Sequence, residues 1–173
     1  MKKFIALITS ILLTACHSTI DQSNNISTST TEKFTLKTEI PVAGGVETLY
    51  VPYITMPFQA RMDTGAETSS IDAQNIKPFE RDGEKWVSFD IINRKNGETK
   101  HFEKPIKRKT NIVRTGEKER RYVVLLDIKM GHDAINAEFT LNDRSKFDYQ
   151  VLIGRNIING RFIIDPTLEN TMH

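Results

Sequence analysis

Phe58-Gln59-Ala60-Arg61-Met62-Asp63-Thr64-Gly65-Ala66-Glu67-Thr68-Ser69-Ser70 is the stretch on which the fold turns. Its first five residues read as a short β run. They deliver one carboxylate, Asp63, directly into Thr64-Gly65-Ala66. An Asp-Thr-Gly string decides nothing alone, because three residues recur by chance. Its setting gives it weight: a strand before it, a small residue after it, then a polar Thr-Ser-Ser. A second word stands far along the chain, Val151-Leu152-Ile153-Gly154-Arg155-Asn156, where an apolar run ends in Gly-Arg-Asn.

Outward from these words, β signals dominate. Phe34 to Ile40 alternates apolar and polar residues, and Val46 to Ile54 is rich in Val, Tyr, Leu and Thr. Ile76 to Glu80 and Lys85 to Ile92 flank Arg81-Asp82-Gly83-Glu84, and an Asp-Gly pair between β-rich runs signals a hairpin. Asn96-Gly97 marks another turn. Arg120 to Met130 and Ala134 to Leu141 flank a third, Gly131-His132-Asp133. Tyr149 to Ile153 reads as a buried strand, Arg155 to Ile158 as a helical turn, and Arg161 to Asp165 as a last strand before Pro166. No stretch beyond the N-terminal segment keeps a 3.6-residue period. The expected fold is all-β, a single closed β-barrel domain with one short helical turn, spanning residues 34–173.

Composition narrows the function classes. The 173 residues are 38% hydrophobic and 27% charged, as in ordinary globular proteins. A net charge of +2 is too small for a nucleic-acid partner. The basic stretch from Lys104 to Arg121 reads first as a solvated hairpin or loop, and second as a contact for an acidic substrate. The single cysteine, Cys16, excludes an intrachain disulfide and a cysteine-rich zinc site. No His-Glu-x-x-His and no phosphate-cradling Gly-x-x-x-x-Gly-Lys-[Ser/Thr] string is present among His17, His101, His132, His173 and the glycines. The expectation is therefore no metal and no cofactor.

Asp-Thr-Gly-Ala early and apolar-apolar-Gly-Arg-Asn late is the two-part pattern of retroviral-type aspartic proteases, and the sequence resembles that superfamily in both parts. With Ile76-Lys77-Pro78-Phe79-Glu80-Arg81-Asp82-Gly83 and Phe139-Thr140-Leu141-Asn142-Asp143-Arg144 added, it resembles one bacterial family over about Val46 to Pro166. That family has been labelled an ATP-dependent zinc protease and is now described as retropepsin-like. It is sometimes associated with glutamate-ligase systems of the ATP-grasp type. The resemblance implies a retropepsin-like half-barrel, an aspartic endopeptidase acting on peptide or protein substrates, and Asp63 as the catalytic residue. Thr64, Gly65 and Ala66 would support the active-site loop. Gly65 and Ala66 are small enough for a substrate backbone to approach. The resemblance also places Glu67 near Arg155, so an ion pair buttressing the loop is expected. Viral proteases close a glycine-rich flap over substrate, and no segment here can be assigned to that role from sequence.

Peptide hydrolysis by carboxylates needs two of them, one ionised to activate water and one protonated to donate to the scissile carbonyl. This chain has one Asp-[Ser/Thr]-Gly, and Asp82 sits in a turn signal. Residues 34–173 are too few for two such halves. A dyad therefore requires a second chain, most simply a homodimer that contributes Asp63 twice. The alternatives are a peptide-binding or scaffold module without turnover and, further behind, the zinc-dependent protease of the older family label.

The N-terminal segment carries an address. Lys2 and Lys3 precede an apolar run from Phe4 to Leu13, which is shorter than the roughly twenty residues a bilayer span needs. It ends in Leu13-Thr14-Ala15-Cys16, a string similar to a bacterial lipobox. Residues 1–16 are expected to be a lipoprotein signal with the lipid on Cys16. Residues 17–33, rich in Ser, Thr and Asn, are the expected flexible tether. His17 after the cysteine, where inner-membrane lipoproteins carry Asp, implies the outer membrane, facing the periplasm.

Overall fold

A computed structural model describes residues 39–114 and 117–172, all within one compact unit, Thr38–His173. The signal and lipobox (residues 1–16), the tether (17–33) and the start of the expected first strand (34–38) lie outside the described residues. Eleven strands and one helical turn follow in chain order: β1 (Val42–Tyr50), β2 (Phe58–Met62), β3 (Ser69–Asp72), β4 (Gln74–Arg81), β5 (Glu84–Ile92), β6 (Thr99–Pro105), β7 (Arg108–Arg114), β8 (Glu117–Met130), β9 (Asp133–Asn142), β10 (Val151–Ile153), α1 (Arg155–Ile158) and β11 (Ile163–Glu169).

One sheet runs β11-β1-β2-β10-β3-β9-β8-β7, and β1 also pairs with β8 at Leu49↔Met130 and Tyr50↔Lys129. That extra pairing joins the two ends of β1-β2-β10-β3-β9-β8 and closes the six strands into a barrel, so no strand of the ring is an edge strand. β11 and β7 stay outside the ring, each with a single neighbour. A second sheet, β4-β5-β6, lies beside the barrel. Its inner residues Val87, Phe89, Ile91 and Phe102 join a core that includes Leu49, Ile71, Leu126, Phe139 and Ile153. Each such side chain contributes on the order of 2 kcal/mol by leaving water.

The all-β expectation holds, and the differences have local causes. β1 begins at Val42, not Val46. Gly44 and Gly45 weaken the strand signal, yet a Cβ on Gly44 would sit 2.4 Å from the Leu168 carbonyl oxygen. Asp82 and Gly83 both take positive φ (52° and 78°), as a two-residue hairpin turn requires. β11 runs through Pro166 instead of stopping before it. It is an edge strand, and Pro166 falls where the register with β1 slips between Gly44 and Val46, so no ladder bond is lost. The basic stretch, expected as a hairpin or a loop, is a hairpin: β7 and β8 pair from Arg108↔Val123 to Arg114↔Glu117.

Glu47 is a fully buried carboxylate on β1. It accepts from the backbone of Gly44, Thr171 and Met172 and from the Thr171 hydroxyl, tying down the chain beyond β11. Burial pushes its pKa up, but these donors together outweigh burial and hold it below the ordinary 4.5. Glu98 takes two bonds from Thr55 and one from Met56, and Thr55 above all brings its pKa down to about 2. Both folded pKa values are depressed. The stability they give is therefore complete above pH 4.5 and is lost as pH falls through the folded values, toward about 2 for Glu98. Urea midpoints should be flat from pH 7 to 5 and drop steadily below. Glu47→Gln should lower stability by about 2 kcal/mol at pH 7 and shrink the acid drop. An unchanged pH profile in that variant would remove Glu47 from this account.

Candidate active site

The two sequence words meet because β10 is wedged between β2 and β3. β10 pairs parallel to β2 (Ile153↔Met62) and antiparallel to β3 (Leu152↔Ser70). The loop from Asp63 to Thr68 joins β2 to β3, so it must arch over the end of β10, where Gly154 and Arg155 stand. The Asp63 N–H donates to the Ile153 carbonyl at 2.9 Å, which fixes the loop's first residue to β10. At the far end, Asp72 accepts from Arg94, Gln150 and the Arg144 N–H, and its own N–H donates to the Gln150 carbonyl. β3 and β10 are thereby locked side by side.

Asp63 is half-buried. Its Oδ1 accepts from the N–H groups of Gly65 (2.9 Å) and Ala66 (3.2 Å), while Oδ2 accepts no hydrogen bond among the described residues. One oxygen thus orients the carboxylate and the other is left for chemistry. A Cβ at Gly65 would come within 3.1 Å of Oδ1, so glycine here leaves room for the carboxylate itself. Thr64 and Gly65 are exposed in the single chain.

Arg155 does buttress the loop, but not through Glu67. Its guanidinium Nη1 donates to the carbonyls of Thr64 (3.1 Å) and Gly65 (2.9 Å), and its N–H donates to the Ala66 carbonyl (2.8 Å). Among the described residues no ion pair joins Glu67 to Arg155, and Glu67 is exposed. The expected pair is corrected on that point. The physical reason is that two loop carbonyls with no other donor capture the guanidinium first. Glu67 contributes its backbone, accepting from the Asn156 N–H at 3.1 Å. Asn156 completes the support: its Oδ1 accepts from the Ser69 N–H and hydroxyl, and Gly154 N–H donates to that same hydroxyl.

A cavity of about 240 Å³ opens beside Asp63, walled by Glu67, Thr68, Thr110 and three arginines, Arg108, Arg121 and Arg144. Arg108 and Thr110 come from β7 and Arg121 from β8, so the β7–β8 hairpin forms a wall of the site. Arg121 is the most telling wall residue. Its side chain is 6% exposed, and one guanidinium nitrogen pairs with Glu119 at 2.5 Å. Its Nε is buried without an acceptor among the described residues, and leaving such a donor unmet costs about 1–3 kcal/mol or more for a charged group.

A second cavity of about 360 Å³ lies against Arg61, Met62, Asp63 and Thr64, with Ile164 and Pro166 of β11 as its other side. Another cavity, of about 590 Å³, is lined by Thr48, Tyr50, Lys129, His132 and Met172 and shares no residue with the Asp63 loop. Among the described residues no three His, Cys, Asp or Glu side chains cluster to hold a metal ion.

Sequence reasoning held Arg108 and Arg121 only as part of the basic stretch Lys104 to Arg121, with contact to an acidic substrate as its second reading, and gave Asn156 no role of its own. Strand alternation was the available signal for Arg121, which shares a face with the buried Val123.

The family profile described as RimB-like, retropepsin-like aspartic endopeptidase RimB, matches residues 42–173. Two curated relatives are each named "Probable alpha-L-glutamate ligase". The one from Shewanella pealeana is 36% identical over 130 residues, 73% of this chain. The one from Desulfotalea psychrophila is 36% identical over 134 residues, 74% of this chain. The chain spans only 28% of the length of either. The crystal structure of a Legionella pneumophila protein of unknown function superposes with a TM-score of 0.65 at 30% identity. The match covers 77% of this chain and 98% of that one.

Proposed function

The chain belongs to the RimB-like family of retropepsin-like aspartic endopeptidases, and from that premise we propose that it hydrolyses peptide bonds with a dyad made of Asp63 from two copies, on substrates that carry side-chain carboxylates near the scissile bond. The observation that carries this reading is the free Oδ2 of Asp63 beside a cavity walled by arginines. In the dimer, two Asp63 carboxylates a few ångströms apart cannot both ionise, so they share one proton. The ionised partner takes a proton from water as water attacks the carbonyl carbon. The protonated partner donates to the carbonyl oxygen, and the amine leaves with a proton. Their apparent pKa values belong to the pair.

Two features support pairing of copies. Thr64 and Gly65 are exposed at the loop tip, where Thr64 would meet its counterpart. Val42, Ile163 and Leu168 are also exposed, on β1 and on β11, the strand whose Ile164 and Pro166 flank Asp63. An apolar surface of that kind is stabilised by being covered. The lipid expected on Cys16 would keep such chains at the outer membrane, on its periplasmic side, and raise their local concentration. The substrate class follows from the three arginine side chains in the cavity wall, Arg108, Arg121 and Arg144, cations of the kind that pair with a carboxylate. The name of the curated relatives also concerns glutamate. The ligase activity in that name is not carried over to this chain, which spans 28% of the length of those proteins.

The test is cleavage of matched peptides differing only by Glu or Gln at each position, over a range of protein concentrations. Activity per chain should rise with concentration until dimers saturate. Arg121→Met should raise KM for the glutamate peptide about tenfold and leave the glutamine peptide nearly unchanged. A monomer with full, concentration-independent activity would rule out the shared dyad. Equal cleavage of both peptides would rule out the carboxylate preference.

A further inference from the structure

Arg108 does not stand free in the cavity wall. Its Nε and Nη2 contact the Glu138 carboxylate of β9 at 2.9 and 2.8 Å, and Nη2 also donates to the Thr68 hydroxyl at 3.1 Å. Thr68 ends the loop that begins at Asp63. Glu138 reaches that loop by a second route. Its carbonyl accepts from Asn156 Nδ2 at 2.8 Å, and Asn156 Oδ1 holds Ser69. One residue outside the Asp63 cavity therefore touches both Thr68 and Ser69, each through a single intermediary. β7 is the last strand of its sheet and has β8 on one side only. The Arg108 side chain gives its root a second tie to the body of the domain, reaching past β8 to β9 and to the end of the Asp63 loop.

We propose that Glu138 is a positioning residue: its carboxylate holds Arg108 as a strut between β7 and the Asp63 loop, and so sets the width of the substrate cleft. The proposal rests on the peptidase reading for its effect on turnover. Its geometry has a separate readout. Arg108 and Glu138 are 41% and 31% exposed, and a pair at that exposure adds little to global stability. What it fixes is a distance.

A competing role makes the opposite prediction. If Arg108 acts only as an anion contact for substrate, Glu138 merely masks it. Removing the Glu138 charge would then strengthen binding of an acidic peptide. The experiment uses the full chain carrying Glu138→Gln, with a glutamate-containing peptide as substrate and hydrogen exchange as the structural readout. The strut predicts a KM about fivefold higher with kcat within about twofold. It also predicts faster exchange at residues 65–69 and 108–111, with thermal stability nearly unchanged. Thr68→Val should give the same pattern, more weakly. A lower KM, or wild-type exchange in both segments, overturns the proposal. Exchange needs no turnover. A wild-type chain that cleaves nothing would therefore sink the peptidase reading, while the strut would still be judged on exchange alone.

Discussion

Replacing Asp63 with Asn is expected to lower kcat by about 10⁴-fold or more, equivalent to at least about 5.5 kcal/mol of transition-state stabilisation, while leaving the fold intact. The two halves of that result have separate causes. An asparagine Oδ1 can still accept from Gly65 and Ala66, the two N–H groups that orient the native side chain. Melting should shift by no more than about 2 °C. An amide, however, neither takes a proton from water nor donates one as a carboxylic acid does, and a homodimer loses both members of the dyad at once. Dimers of the variant should be as tight as wild type at neutral pH or tighter, because the repulsion between paired carboxylates is gone. Mixing supplies the sharper measurement. Adding an equal amount of the variant to a fixed amount of wild type leaves about half of the wild-type dimers if chains pair at random, so activity should halve. Undiminished activity in the mixture would mean that each Asp63 works alone. Undiminished activity in the pure variant would remove Asp63 from the chemistry.

The barrel and the core of its site were legible because they rest on short-range chemistry. Phe58–Met62 alternates apolar and polar residues and Val151–Ile153 is an apolar run; each leads into a word whose shape the backbone needs, and the structure places them on adjacent strands. Hairpins at Asp82-Gly83 and Gly131-His132 follow from residues that accept positive φ or tight turns. What could not be read depends on who competes for whom across the chain. Glu67 and Arg155 have opposite charges and the right neighbourhood, yet the guanidinium goes to the Thr64 and Gly65 carbonyls, which the arching loop leaves without other donors. Ser69 and Ser70 look like a polar tail and are a buried strand, because Asn156 and Thr140 satisfy their hydroxyls. Arg121 looks solvated in a run of basic residues and is buried. A burial of that kind shows only when β8 is laid against the barrel.

Gly154→Ala tests whether the second word exists for the sake of the first. Gly154 has φ −97° and ψ −178°, extended backbone that alanine adopts without strain. The constraint is space. A Cβ there would lie 2.9 Å from the Thr68 carbonyl carbon, 3.0 Å from the Ala66 carbonyl oxygen and 3.0 Å from the Ser69 nitrogen. All three are backbone atoms of the Asp63 loop, and the loop has little slack. Ala66 O is held by Arg155 N–H, and Ser69 N–H by Asn156. Relief therefore requires the whole loop to lift from β10. Overpacking of this kind costs about 2–3 kcal/mol, which a domain of ordinary stability survives. The melting temperature should fall by roughly 10 °C. Activity should fall further than stability does, by about 10²-fold, because a loop lifted by even about 1 Å displaces Asp63 from the shared axis. Gly160→Ala is the control. Gly160 has φ +73° and open space around its Cβ position, so it carries backbone strain of about 1 kcal/mol with no contact to the loop. It should cost stability and leave kcat alone. If Gly154→Ala behaves like Gly160→Ala, the loop is free to move and the Gly-Arg-Asn word supports Asp63 only through Arg155 and Asn156.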